Sequence, residues 1–67
     1  MKLVSRVYAT LRQTNEWLTV NELSQETGTS TRAIDYALRE LQAKRWVKVQ
    51  PYRAGENGRP SNLWHVA

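Results

Sequence analysis

The sequence predicts a small α+β domain in which three helices precede an antiparallel β-hairpin. Apolar residues recur every three or four positions in separate stretches of the first 44 residues, which is the period of amphipathic helices. Two segments near the C-terminus are rich in residues favoured in strands. The stretch between those segments contains both prolines and two of the three glycines, as expected of a hairpin loop.

The first helix is predicted from Leu3 to Thr14. Leu3, Val7 and Leu11 recur every four residues and therefore lie on one side of a helix. Asn15 and Glu16 are expected to end this helix.

The second helix is predicted from residue 20 to about residue 27. It begins with a capping box, in which the Thr19 hydroxyl accepts from the backbone N–H of Glu22 and the Glu22 side chain reaches back. Leu23 is its core residue. Gly28 follows at the position where the end of a helix often requires a positive φ, so a tight turn is expected there.

The third helix is predicted from about Thr31 to Lys44, with Ser30 as its N-cap. At about 100° per residue its side chains divide into two faces. The apolar face, directed at a core, consists of Ile34, Ala37, Leu38 and Leu41. The opposite face consists of Arg32, Tyr36, Arg39 and Ala43, with Asp35 at its margin.

The C-terminal strands are predicted at Trp46–Gln50 and Asn62–Val66, separated by a long basic loop from Pro51 to Ser61. A short extended piece at Trp17–Leu18 is expected to pair with this hairpin. The three tryptophans, at positions 17, 46 and 64, are expected in the core or on the sheet face, because indoles supply much of the buried area of a small domain.

Composition limits the classes of function. A chain of 67 residues allows one domain with a thin core, assigned to residues 1–67. It has no cysteine and one histidine, so we expect no metal site, no cofactor site and no catalytic group of residues. An enzymatic function is therefore not expected. No apolar run approaches the length of a membrane span, which predicts a cytoplasmic protein with no membrane partner.

The net charge of +4 is placed asymmetrically. Residues 1–28 carry three basic and three acidic side chains, whereas residues 29–67 carry seven basic and three acidic ones. A one-sided basic field is typical of a protein with a polyanionic partner.

The order of elements, with a glycine turn before the third helix and a basic hairpin after it, resembles the winged-helix family of DNA-binding domains. The residues that carry the resemblance are Glu22-Leu23-Ser24, Gly28-Thr29-Ser30, Ile34, Leu38, Glu40-Leu41, Trp46-Val47, Gly58-Arg59-Pro60 and Leu63-Trp64. The resemblance implies a sequence-specific regulator of transcription of the bacterial, phage or plasmid type. Its third helix would enter the major groove of double-stranded DNA, and its hairpin, the wing, would contact the minor groove or the backbone. Family members often carry glycine where Arg45 stands, so either Arg45 adopts an unusual backbone or the helix ends differently.

On the third helix, Arg32 and Arg39 are the candidates for guanine or phosphate contact, because an arginine fork fits either group. Tyr36 could donate to a phosphate or touch a thymine methyl group. Asp35 would repel phosphate, yet it could accept from a cytosine amine or orient Arg39. The alternatives are a local ion pair between Asp35 and Arg39, and packing of Tyr36 on the hairpin or a dimer partner.

Outside that face, Ser30 and Thr31 are candidates for phosphate contact, because a helix N-terminus attracts anions. Lys48 and Arg53 are predicted to contact phosphates from the wing. Arg59, between glycine and proline, is suited to a narrow minor groove.

A different function also fits the sequence. The domain could be a winged helix used for protein contact in a replication, transcription or secretion assembly, because the net charge is modest and Asp35 intrudes on the third helix's outward face. A homodimer, for example through the first helix, is a further alternative.

Overall fold

The computed structural model describes residues 2–53 and 60–67, with the backbone alone for residues 52, 53, 60 and 61. It shows an α+β domain of three helices followed by a two-stranded antiparallel hairpin. The elements are α1 (Leu3–Thr14), α2 (Val20–Thr27), α3 (Thr31–Ala43), β1 (Val47–Arg53) and β2 (Pro60–Val66). The predicted helices are confirmed, and only the end of α3 differs, by one residue.

α1 ends and α2 begins at the residues that the sequence predicts. Asn15 takes the left-handed backbone at φ 52°, and its N–H donates to the Leu11 carbonyl. The Thr19 hydroxyl accepts from the Glu22 N–H at 3.1 Å, and the Glu22 carboxylate accepts from the Thr19 N–H at 2.9 Å. Both partners of the capping box are therefore satisfied, which fixes where α2 begins.

A three-residue turn joins α2 to α3. Gly28 lies at φ 69°, a backbone that side chains with a Cβ rarely adopt. The Ser24 hydroxyl donates to the Thr29 carbonyl, and the Thr29 N–H donates to the Ser24 carbonyl at 3.1 Å. Ser30 then caps α3 by accepting from the Ala33 N–H at 3.3 Å. These bonds set the angle at which α3 leaves α2.

One apolar cluster holds the helices against the hairpin. α3 contributes most to it, through the side chains that the sequence places on its apolar face. The buried members are Val7, Leu11, Leu18, Leu23, Ile34, Ala37, Leu38, Leu41, Val47 and Trp64. Because α3 buries one face here, its opposite face is left on the surface.

The hairpin is longer than predicted. Its ladder begins with Val47 opposite Val66 and continues to Arg53 opposite Pro60, so part of the predicted loop is paired strand. Pro51 is tolerated inside β1 because β1 pairs with β2 alone among the described strands, and a missing N–H costs little on its other edge.

The predicted short extended piece before α2 is confirmed as a partner of the hairpin. Leu18 and Trp64 exchange two backbone hydrogen bonds, of 3.0 and 2.8 Å. This bridge ties the α1–α2 connection to β2.

Of the two alternatives for the exit of α3, the structure shows the unusual backbone at Arg45, whose φ is 62°. The Arg45 N–H donates to the Gln42 carbonyl at 2.9 Å, and the Trp46 N–H donates to the Leu41 carbonyl at 3.0 Å. This is the bonding pattern of a Schellman motif, with arginine at the position that usually holds glycine.

The expectation that all three tryptophans lie in the core or on the sheet face was wrong for Trp46. Trp64 is buried and Trp17 is half-buried, whereas Trp46 is 51% exposed. The cause is the alternation of side chains in β1. Val47 points into the core, so its neighbours Trp46 and Lys48 point away from it.

Candidate functional site

The outward face of α3 presents two arginines and a tyrosine. Arg32, Tyr36 and Arg39 are all exposed, as the helical spacing predicts, and Tyr36 is 79% exposed. Such exposure shows that the Tyr36 ring is not packed into the body of the domain. The three side chains are therefore free to meet a partner along one side of the helix.

Asp35 pairs with Arg39 across one helical turn. The Arg39 Nε donates to Asp35 Oδ2 at 3.0 Å, and the side chains are 75% and 47% exposed. The local ion pair considered from the sequence is thus present. The pair uses Nε, and the terminal amino groups of Arg39 make no hydrogen bond to the residues that the structure describes.

The first residues of α3 leave donors at the surface. The Ser30 hydroxyl oxygen is engaged in capping, but its own proton is not used in that bond. Thr31 is exposed beside it. The helix N-terminus adds a partial positive charge at this end, which favours an anion.

Lys48 is exposed on β1, yet it already has a local contact. Its Nζ lies 5.5 Å from the centroid of the Trp17 ring, and Trp17 packs against His65 with ring centroids 5.1 Å apart. Lys48 lies opposite His65 in the ladder, near the end of the hairpin that joins the helices. A contact with phosphate would have to compete with this cation–π interaction.

Of the two arginines predicted to contact DNA from the hairpin, Arg53 and Arg59, the structure describes only the backbone of Arg53. Arg53 is the last residue of β1 and pairs with Pro60, which puts its backbone at the end of the hairpin furthest from the helices. The predicted site residue Arg59 lies outside the described residues.

The structure also shows a surface that sequence reasoning missed. Trp46 packs against Tyr8 of α1, with ring centroids 5.5 Å apart and planes at 50°. Lys44 Nζ lies 5.4 Å from the Trp46 ring centroid, and Arg12 Cζ lies 5.9 Å from the Tyr8 ring centroid. The alternation of β1 around a buried Val47 is the sequence signal that could have found it.

Two other features of the described residues bear on function. Residues 2–53 and 60–67 contain no group of three or more histidine, cysteine or carboxylate side chains arranged to hold a metal ion. Within the same ranges, no helix is both long and apolar enough to cross a membrane.

No protein-family model matches the chain, and no significant match to it is found among curated proteins.

Proposed function

We propose that this protein is a winged-helix domain that binds double-stranded DNA in a sequence-specific way and regulates transcription. In this proposal α3 lies in the major groove, and the β1–β2 hairpin lies against the minor groove or the sugar–phosphate backbone. The observation that carries the proposal is the exposed row of Arg32, Tyr36 and Arg39 on a helix whose other face is buried.

The arrangement of elements supports the winged-helix fold. α2, a three-residue turn and α3 are followed within four residues by a hairpin, and Leu18 adds a bridge to Trp64 of β2. These contacts hold α3 in place with one face exposed. The major groove of B-DNA is wide enough to admit an α-helix.

The side-chain chemistry supports contact with bases as well as phosphates. Arg39 keeps a terminal fork with no partner among the described residues, and a fork of that kind pairs with O6 and N7 of guanine. Asp35 limits how closely the helix can approach a phosphate, and it also holds the Arg39 side chain over the helix. Discrimination between sequences is therefore expected to depend on this pair.

The donors at the start of α3 and on the hairpin support contact with the backbone. Ser30 and Thr31 lie at a helix N-terminus, Lys48 is exposed on β1, and the backbone of Arg53 lies at the hairpin end. Contacts of this type set the orientation of a protein on the duplex. We extend them to Arg59 on the basis of its sequence.

A salt titration of duplex binding tests the proposal. Fluorescence anisotropy of a labelled duplex is followed over about 50–300 mM salt. Neutralising about five or six phosphates gives a log–log slope of roughly −4.5 to −5.5. The absence of binding at the lowest salt concentration would rule out DNA as the partner. A slope close to zero would show that charge contributes little to the complex.

A further inference from the structure

The two exposed large apolar side chains of the described residues lie beside two adjoining depressions. Tyr36 is 79% exposed and Trp46 is 51% exposed. Tyr36 lies beside a depression between α1 and α3 of about 470 Å³. Trp46 lies beside a second depression of about 260 Å³ between the same helices. Val4 and Glu40 line both, so the two depressions adjoin between α1 and α3, and together they are called the α1–α3 groove.

The floor of the α1–α3 groove is apolar. Below Tyr36 it is formed by Leu3, Ala33 and Ala37. Small alanine side chains on α3 let an incoming element approach the helix backbone closely. Exposed apolar surface with an aromatic ring at each end is characteristic of protein-binding surfaces rather than of solvated helix faces.

The rim of the groove is mainly basic. Arg32 lies at the Tyr36 end, and Lys2 and Lys44 lie at the Trp46 end. Glu40 is the acidic residue among the lining side chains. The preferred partner therefore combines apolar side chains for the floor with carboxylates for both ends.

The arrangement of the rings favours a peptide over a nucleobase. Lys44 Nζ lies over the Trp46 ring at 5.4 Å, and Arg12 Cζ lies over the Tyr8 ring at 5.9 Å. At the Trp46 end, a base would have to displace one of these cations from a ring face before it could stack there. What remains available is the groove between the rings and α3, where aliphatic side chains fit.

We propose that the α1–α3 groove binds an acidic amphipathic helix of a partner protein. α3 has 13 residues, a length of roughly 20 Å at 1.5 Å per residue. A partner helix of about three to four turns would match it, with leucine-type side chains on the floor and carboxylates beside Arg32, Lys2 and Lys44. This partner is distinct from the DNA proposed above. The two share Arg32 and Tyr36, whereas Trp46 and Lys44 belong to the groove alone.

A designed peptide provides the test. The probe is a labelled 14-residue helical peptide with leucines at helical spacing and glutamates elsewhere, and the control peptide has lysine at each glutamate. Fluorescence anisotropy with the full chain measures both affinities. We expect the acidic peptide to bind and the basic peptide to bind at least about tenfold more weakly.

Two variants test whether the peptide binds in the α1–α3 groove. Trp46→Ala should weaken peptide binding at least about tenfold, as truncation of a central aromatic residue does. Lys44→Gln should weaken it about two- to fivefold, as loss of an exposed charge pair does. Gln25→Glu is the charge-matched control, because it also lowers the net charge by one on an exposed part of α2. It should leave peptide affinity unchanged. Circular dichroism verifies that each variant is folded. If Trp46→Ala does not fold, the comparison of Lys44→Gln with Gln25→Glu tests the groove by itself.

The outcomes separate this inference from the DNA proposal. Acidic-peptide binding that depends on Trp46 or Lys44 supports the groove even if duplex DNA does not bind. No peptide binding at 1 mM, equal binding of the basic peptide, or equal losses in Lys44→Gln and Gln25→Glu would overturn it. Binding of a single-stranded oligonucleotide that depends on Trp46, without peptide binding, would overturn it in favour of nucleic acid.

Discussion

The Nε of Arg39 donates to Oδ2 of Asp35 at 3.0 Å, with the acidic residue one turn before the basic one. This order is the favourable one for an ion pair on a helix. The pair explains how a carboxylate can lie on a face proposed to meet DNA. Asp35 holds the Arg39 side chain by Nε, and the terminal fork of the guanidinium has no partner among the described residues.

Arg39→Ala should reduce discrimination between sequences more than it reduces affinity for non-specific duplex. Loss of an arginine–guanine contact lowers the preference for the correct base by about 1–3 kcal/mol. Competition binding with single-base variants of the preferred site measures this preference. Arg12→Ala is the matched control, because it removes the same charge from an exposed part of α1. An equal loss on every sequence would make Arg39 a phosphate contact.

Asp35→Ala should increase affinity for non-specific duplex and decrease sequence discrimination. The increase follows from removing a negative charge that faces phosphate, and the decrease follows from freeing Arg39 to move. The same change should lower the free energy of unfolding by no more than about 0.5 kcal/mol, since the pair is exposed. Duplex titration and urea denaturation measure the two effects. Unchanged discrimination would show that Asp35 does not position Arg39.

Arg59→Ala should weaken binding most on sites with A/T-rich flanks. A narrow A/T-rich minor groove has an enhanced negative potential that favours an inserted arginine. The affinities of one core site with A/T-rich and with G/C-rich flanks measure the difference. The same loss on both flanks would argue against insertion of Arg59 in the minor groove.

Arg45→Gly should stabilise the fold. Arg45 lies at φ 62°, where the left-handed backbone costs about 1–2 kcal/mol for a residue with a side chain. The greater chain entropy of unfolded glycine offsets part of this gain, leaving about 0.5–1 kcal/mol. Thermal unfolding should show a rise of about 4–8 °C for each kcal/mol in a domain of this size.

Gly28→Ala is the reciprocal test of that backbone argument. Gly28 lies at φ 69°, and a Cβ added there meets no atom within 4 Å, so only the backbone conformation opposes the change. A loss of about 1 kcal/mol is expected. Destabilisation by Arg45→Gly would instead show that the Arg45 side chain makes contacts that stabilise the fold.

Most of the fold could be predicted from local chemistry. The Thr19–Glu22 box, Gly28 and the Ser30 cap define helix ends by hydrogen bonds between neighbouring residues, and such bonds are visible in sequence. The pairing of Leu18 with Trp64 was predicted only as pairing with the hairpin. The partner residue depends on the position of β2, which tertiary packing decides.

The hairpin and Trp46 show what local chemistry does not reveal. Pro51 indicates a loop by itself, but a free strand edge removes the cost of its missing N–H. Trp46 suggests a core residue by size, but the outward direction it takes depends on Val47 facing inward. The exposed face of α3 was predicted because helical spacing alone separates Arg32, Tyr36 and Arg39 from the core.

Selection of bound duplexes from a random pool tests the central claim most directly. The wild-type protein should enrich one motif that contains guanine, and Arg39→Ala should relax the preference at a guanine position while the rest of the motif persists. Recovery of duplexes with no common sequence, in wild type and variant alike, would contradict sequence-specific binding by α3.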